Sequence, residues 1–194
     1  MNRARFRGAA RRLRLSHACL RPPAKFPYTP SYTSGEASLE KLLELQRALD
    51  LDRVVIVQPS VYGTDNSCTV DALRRLDGRG RGVAVIADDI LPVELDALHR
   101  AGVRGVRVNL VTAGVRDPAV ARRLLAAAAS RVAPLGWHVQ VYADMNVIAA
   151  LQHDMAALPV PLVIDHFGGA RAALGPAQAV SPSCSTSCAP ARLT

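Results

Sequence analysis

Four short segments of the 194-residue chain end in, or alternate with, side chains that can bind or transfer protons. VPLVIDH ends in Asp165 and His166, GVRVNL carries Arg107 and Asn109 two residues apart, and WHVQVYAD ends in Tyr142 and Asp144. VVIVQPS ends in Gln58, Pro59 and Ser60 and runs on into VYGTDNS, while His17 and Tyr32 stand upstream. Imidazole moves protons near neutral pH, and the planar guanidinium fork matches a carboxylate. Serine and tyrosine hydroxyls add donors. In closed barrels and open α/β sheets alike, sites gather at the carboxyl ends of parallel strands, so the elements around these residues decide whether they meet.

Those elements are legible as a steady alternation. ASLEKLLELQRALD predicts an amphipathic helix, with Leu39, Leu42, Leu43, Leu45 and Leu49 near one face. In DRVVIVQ the β-branched run Val54 to Val57 predicts a strand covered on both faces, which implies a parallel sheet. A helix from Cys68 to Leu76, the strand GVAVIAD, the helix PVELDALHRAG and the strand VRGVRVNL follow. Asp117 is positioned to cap an Ala-rich helix running to about Val132, with Pro118 in its first turn. The strand WHVQVYAD, a helix from about Asn146 to Leu158 and the strand VPLVIDH complete the series.

Strand, helix, parallel strand with short connections is the α/β signature. No GxGxxG follows the first strand and GxxxxGK[ST] is absent, which removes the main support for nucleotide-binding versions of the fold. Periodicity alone does not separate a closed barrel from an open doubly wound sheet, and a TIM-type (β/α)8 barrel gains by default. A whole barrel takes roughly 250 residues, so an incomplete one of about six β/α units, with the last strands missing, is expected.

Net charge is +8, yet its distribution speaks against nucleic acid. Arg3, Arg5, Arg7, Arg11, Arg12, Arg14, Arg21 and Lys25 fall in a stretch without Asp or Glu. Taking those eight from 24 basic residues leaves 16, equal to the 16 acidic residues, so the body is formally neutral. Residues 1–25 read as a basic, disordered arm, with a transit-type segment or an out-of-frame start as alternatives. Residues 26–169 read as a partial barrel domain, and the acid-free, Ala/Ser/Pro/Cys-rich residues 170–194 as a disordered tail. No apolar run reaches membrane-span length. Cys19, Cys68, Cys184 and Cys188 form no CxxC pair, and free thiols in a cytoplasmic protein are expected.

The segments FPYTPSYT, VVIVQPSVYGTDNSC, GVRGVRVNL, LGWHVQVYAD and LPVPLVIDHFG, in that order, resemble the amidohydrolase superfamily of TIM-barrel, predicted metal-dependent hydrolases. Within it, the likeness is to the 2-pyrone-4,6-dicarboxylate lactonase type. The resemblance covers about Lys25 to Gly169. It implies hydrolysis of a lactone of a carboxylated ring, with His166 as the catalytic histidine closing the sixth strand and His17 as the remnant of a first-strand pair. It further implies that Arg107 binds a substrate carboxylate, with Tyr32, Ser60 and Tyr142 adding hydrogen bonds. A core histidine at position 166, a structural ion pair at Arg107 and plain packing by the tyrosines are the competing readings. Arg104 and Arg116 are alternative carboxylate binders, Arg104 being disfavoured because alternation puts it on the face opposite Arg107.

This sequence departs from the resembled pattern twice. The family's first-strand HxH stands here as His17-Ala18-Cys19, and no Asp or Glu follows Asp165 to serve as the eighth-strand aspartate. The expected cofactor is therefore either none or a divalent metal such as zinc, with His17, Cys19 and His166 as candidate ligands. A catalytically inactive fragment or pseudoenzyme of the family is the alternative to the hydrolase. A small carboxylated lactone is the expected partner, with neither nucleic acid nor membrane, and exposed sheet edges would favour self-association.

Overall fold

The computed structural model describes the backbone of Arg14–His17 and the chain over residues 37–175. The chain divides into two compact units, Met1–Val103 and Arg104–Thr194. In the first unit, β1 (Arg14–His17), β2 (Arg53–Val57) and β3 (Gly80–Ala84) form parallel neighbours in that order. Helices α1 (Leu39–Leu49), α2 (Ser67–Arg75) and α3 (Pro92–Arg100) alternate with them. β2 lies between two strands, and Val54, Ile56 and Val57 are buried, as its unbroken apolar run requires.

The start of α1 is set by Ser38, whose hydroxyl accepts the Lys41 N–H, and its end by Asp50 in the left-handed region (φ 56°). Its buried face differs from the sequence expectation. Leu39, Leu42 and Gln46 are buried, whereas Leu45 and Leu49 are exposed. The spacing of 39, 42, 43 and 46 follows one helical stripe, and a leucine at 45 falls off it. The ion pair between Glu40 and Arg75 ties α1 to α2 on the exposed side.

The loop after β2 is held by amide side chains. Gln58 is fully buried; its Nε2 donates to the carbonyls of Gly63 (3.3 Å) and Asp65 (2.7 Å), and its Oε1 accepts the Thr69 hydroxyl (2.6 Å). Asn66 acts likewise, donating to Val85 O (2.7 Å) and accepting from Val85 N (3.1 Å). That pair of bonds satisfies the backbone of Val85 through a side chain, so β3 stops at Ala84, short of the strand expected through Asp88.

The second unit carries β4 (Val103–Asn109), β5 (His138–Tyr142) and β6 (Leu162–Ile164), again parallel and in sequence order. Helix α4 (Pro118–Val132) joins the first two; Asp117 caps it by accepting the Ala119 N–H at 2.8 Å, and Pro118 fills its first turn. α4 packs on β5 and buries Ala121, Leu125, Ala128, Ala129 and Val132. The expected single helix before β6 is two, α5 (Met145–Ala150) and α6 (Gln152–Ala156), because fully buried Leu151 leaves helical geometry at φ −105°, ψ 8°. A 3-10 turn over Asp165–Gly169 follows β6 directly. Among the described residues no helix is long and apolar enough to cross a membrane.

Candidate active site

Alternation along β5 sends Val139 and Val141, both almost fully buried, to one face, and His138, Gln140 and Tyr142 to the other. Register carries that second face across the sheet: Gly105 pairs with His138, Arg107 with Gln140, Asn109 with Tyr142, and Gln140 with Val163. Two residues beyond Val163 the chain reaches Asp165, which returns to the same face at the end of β6. Polar side chains from adjoining strands are thereby stacked side by side.

They converge on the Asp165 carboxylate. Its Oδ2 accepts from Arg107 Nη2 at 2.9 Å and from Gln140 Nε2 at 2.9 Å, while its Oδ1 accepts the backbone N–H of His166 at 3.0 Å. The Arg107 side chain is 10% exposed and that of Asp165 22%, so the pair is largely withdrawn from water. The Arg107 guanidinium carbon stands 5.6 Å from the centre of the Tyr142 ring, within cation–π range. The His166 ring lies 4.5 Å from the same ring at 58°. His166 itself is mostly exposed, with Nε2 3.7 Å from Asp165 Oδ2, beyond hydrogen-bond distance.

The backbone turn that presents this imidazole is unusual. His166 (φ 48°) and Phe167 (φ 52°) are consecutive non-glycine residues in the left-handed region, continued by Gly168 and Gly169. Such residues cost energy and persist where neighbours over-determine them. The Asp165 Oδ1 bond to the His166 N–H is one such restraint, and the packing of Gly168 against Ile148, where a Cβ would lie 3.1 Å from its methyl, is another.

Of the residues expected from sequence, the structure brings together Arg107, Tyr142 and His166. Ser60 opens a 3-10 turn (Ser60–Tyr62) just past the carboxyl end of β2, in the first unit, and is half-buried. His17 ends β1, its backbone in register with Ile56. Its side chain, together with Tyr32, Cys19 and most of the basic arm and tail, lies outside the described residues. Arg107 forms an ion pair with Asp165. Arg116 stands 3.8 Å from Asp144, both well exposed. Asn109 is engaged locally with Thr112. Asp165 and Gln140 are the functional-looking residues the sequence reading left without roles. The signal for Gln140 was present, a polar residue alternating with valines in HVQVY and facing the same way as Tyr142.

A metal finds no donor set in this cluster. Among the described residues no three His, Cys, Asp or Glu side chains are grouped to hold an ion. Asp165 Oδ2 already accepts two N–H donors and Oδ1 one, and the exposed His166 imidazole stands beside them.

Parallel strands alternating with helices, with arginine, carboxylate, tyrosine and histidine gathered toward the strands' carboxyl ends, define a protein of the parallel (β/α) class. Residues 17–185 match the family model described as Amidohydrolase, and the chain belongs to that family. It is 40% identical over 149 residues to a 2-pyrone-4,6-dicarboxylate hydrolase of Comamonas testosteroni, covering 76% of this chain and 48% of the relative. A 4-sulfomuconolactone hydrolase of Hydrogenophaga intermedia is 33% identical over 152 residues, covering 76% and 49%. The chain thus spans about half the length of the curated relatives it matches.

Among solved structures, a Pseudomonas putida protein bearing the name 2-pyrone-4,6-dicarboxylic acid hydrolase superposes with a TM-score of 0.65 at 32% identity, over 80% of this chain and 57% of that one. An Acinetobacter baumannii structure bearing a similar name, with citric acid bound, superposes at 0.68 with 24% identity, over 89% and 63%. The parallel α/β arrangement fits an incomplete TIM-type fold of the amidohydrolase family.

Proposed function

We propose that this chain is a lactone hydrolase, opening the cyclic ester of a carboxylated ring such as a pyrone dicarboxylate. The observation that carries this reading is the Arg107 guanidinium, held by Asp165 and lying against Tyr142 beside an exposed His166. Arginine binds the ring carboxylate and fixes the ester carbonyl relative to the histidine. Water adds to the carbonyl carbon, the bond to the ring oxygen breaks, and His166 transfers the proton between them. His17 from β1 is the second catalytic histidine, and Tyr32, Ser60 and Tyr142 hydrogen-bond the substrate. The names of the relatives support the hydrolase over the inactive-fragment alternative.

In this reading residues 26–169 form one partial barrel domain of about six β/α units, flanked by the arm and tail, in a cytoplasmic protein. Incubating the purified chain with 2-pyrone-4,6-dicarboxylate and following loss of the pyrone chromophore tests the activity. Ring opening that disappears in His166→Ala is expected. Neither binding nor turnover of this compound or 4-sulfomuconolactone would refute the reading, and tight binding without turnover would favour the inactive alternative.

A second expectation concerns the sheet edge. Among the described residues no strand pairs with the outer edge of β6; Val163 on that strand and Phe167 in the turn after it are exposed, Phe167 at 91%. An open edge bearing apolar side chains recruits another strand, and a second copy of this chain is the partner proposed. Sedimentation velocity should show dimers or larger species that a Val163→Lys substitution reduces; a concentration-independent monomer would contradict it.

A further inference from the structure

We infer that Asp165 is the positioning residue of this site, a carboxylate that, with Gln140, fixes the Arg107 guanidinium for substrate while fixing the backbone that presents His166. The inference rests on the carboxylate-binding reading of Arg107 and adds how that arginine is oriented.

Three chain segments meet on one carboxylate: β4 through Arg107 Nη2 (2.9 Å), β5 through Gln140 Nε2 (2.9 Å) and the turn after β6 through the His166 N–H (3.0 Å). An arginine has many rotamers, and ordering it only when ligand arrives would weaken binding. Here the order is built in before ligand. The guanidinium is nearly buried, so it needs an opposite charge to remain there, and Asp165 supplies that charge. Gln140, 6% exposed, spends its amide N–H on the same Oδ2 and so prevents the carboxylate from turning toward solvent. Tyr142 closes the arrangement, since its ring contacts both the guanidinium and the imidazole. Moving Asp165 therefore moves the carboxylate binder and the proton carrier together.

The chemistry separates this role from simple structural support. A residue needed only for the fold should, when changed, weaken carboxylated and uncarboxylated ligands alike. One that orients Arg107 should weaken only the carboxylated ligand.

The test uses the full chain with 15N-labelled arginine, the Arg107 signals being assigned by their loss in Arg107→Lys. In the unaltered protein the Arg107 Nη–H signals should be resolved from one another by restricted rotation; in Asp165→Asn they should collapse to the averaged position of exposed arginines. Affinity for 2-pyrone-4,6-dicarboxylate should fall at least tenfold in Asp165→Asn, and that for unsubstituted 2-pyrone less than twofold. Gln140→Leu, which keeps the ion pair, should show the same pattern more weakly and serves if Asp165→Asn does not fold. Resolved Arg107 signals in both variants, or equal loss of affinity for the two ligands, would overturn the inference. If the unaltered chain binds neither pyrone nor 4-sulfomuconolactone, the proposed function fails, and the arginine signals still decide whether Asp165 positions Arg107.

Discussion

Replacing Arg107 by methionine is expected to destabilise the fold by about 3 kcal/mol, the low end of the range of about 3–5 kcal/mol for removing one partner of a buried ion pair. The low end applies because Asp165 retains 22% exposure and can recover some hydration. The larger share of the loss comes from what remains behind, a carboxylate with Gln140 as its one side-chain donor at Oδ2. Binding of a pyrone dicarboxylate should weaken about 10- to 100-fold, the scale of charge-assisted hydrogen bonds. Arg107→Lys should fall between, since the ammonium keeps the charge and loses the planar fork. Denaturant unfolding midpoints and titration calorimetry on the three proteins measure both effects, and an unaltered midpoint in Arg107→Met would contradict the account of the pair.

Gly105→Ala should be comparably damaging, by about 1–3 kcal/mol, through overpacking rather than lost charge. A Cβ at Gly105 would lie 2.3 Å from Cε1, 2.5 Å from Nε2 and 2.7 Å from Nδ1 of His138. Three ring atoms that close mean the imidazole lies flat across the glycine Cα, its direct neighbour in the parallel register. An added methyl forces the ring out of the row that also holds Gln140 and Tyr142. The clash is with one side chain, so Gly105→Ala should cost far less in a His138→Ala background. Thermal melts of the two single variants and the double variant give the coupling, and an identical cost in both backgrounds would show that the strain lies elsewhere.

Gly105 also marks the limit of what a strand pattern reveals. In VRGVRVNL the glycine looks like a weak point of the strand. Only the register opposite His138, 33 residues later, explains it. The same division runs through the fold. The α4 boundaries were legible because Asp117 and Pro118 act on their own helix within a few residues. The end of β3 was not, because the groups that terminate it belong to Asn66, 19 residues earlier. Likewise the leucines of α1 gave the helix and most of its stripe, while Gln46 rather than Leu45 went inward once packing fixed the rotation.

For the site, the sequence alone determined the alternation of strands and helices, the family likeness, and that Arg107, Tyr142 and His166 end or line strands. Residue type and period suffice for this, since a strand's two faces are set by its local pleat. Tertiary structure decided that these three share one face and one neighbourhood, and that Asp165 and Gln140 bind them together. Hydrogen bonds between β4, β5 and β6 depend on register, and register is a relation between segments that no single segment encodes.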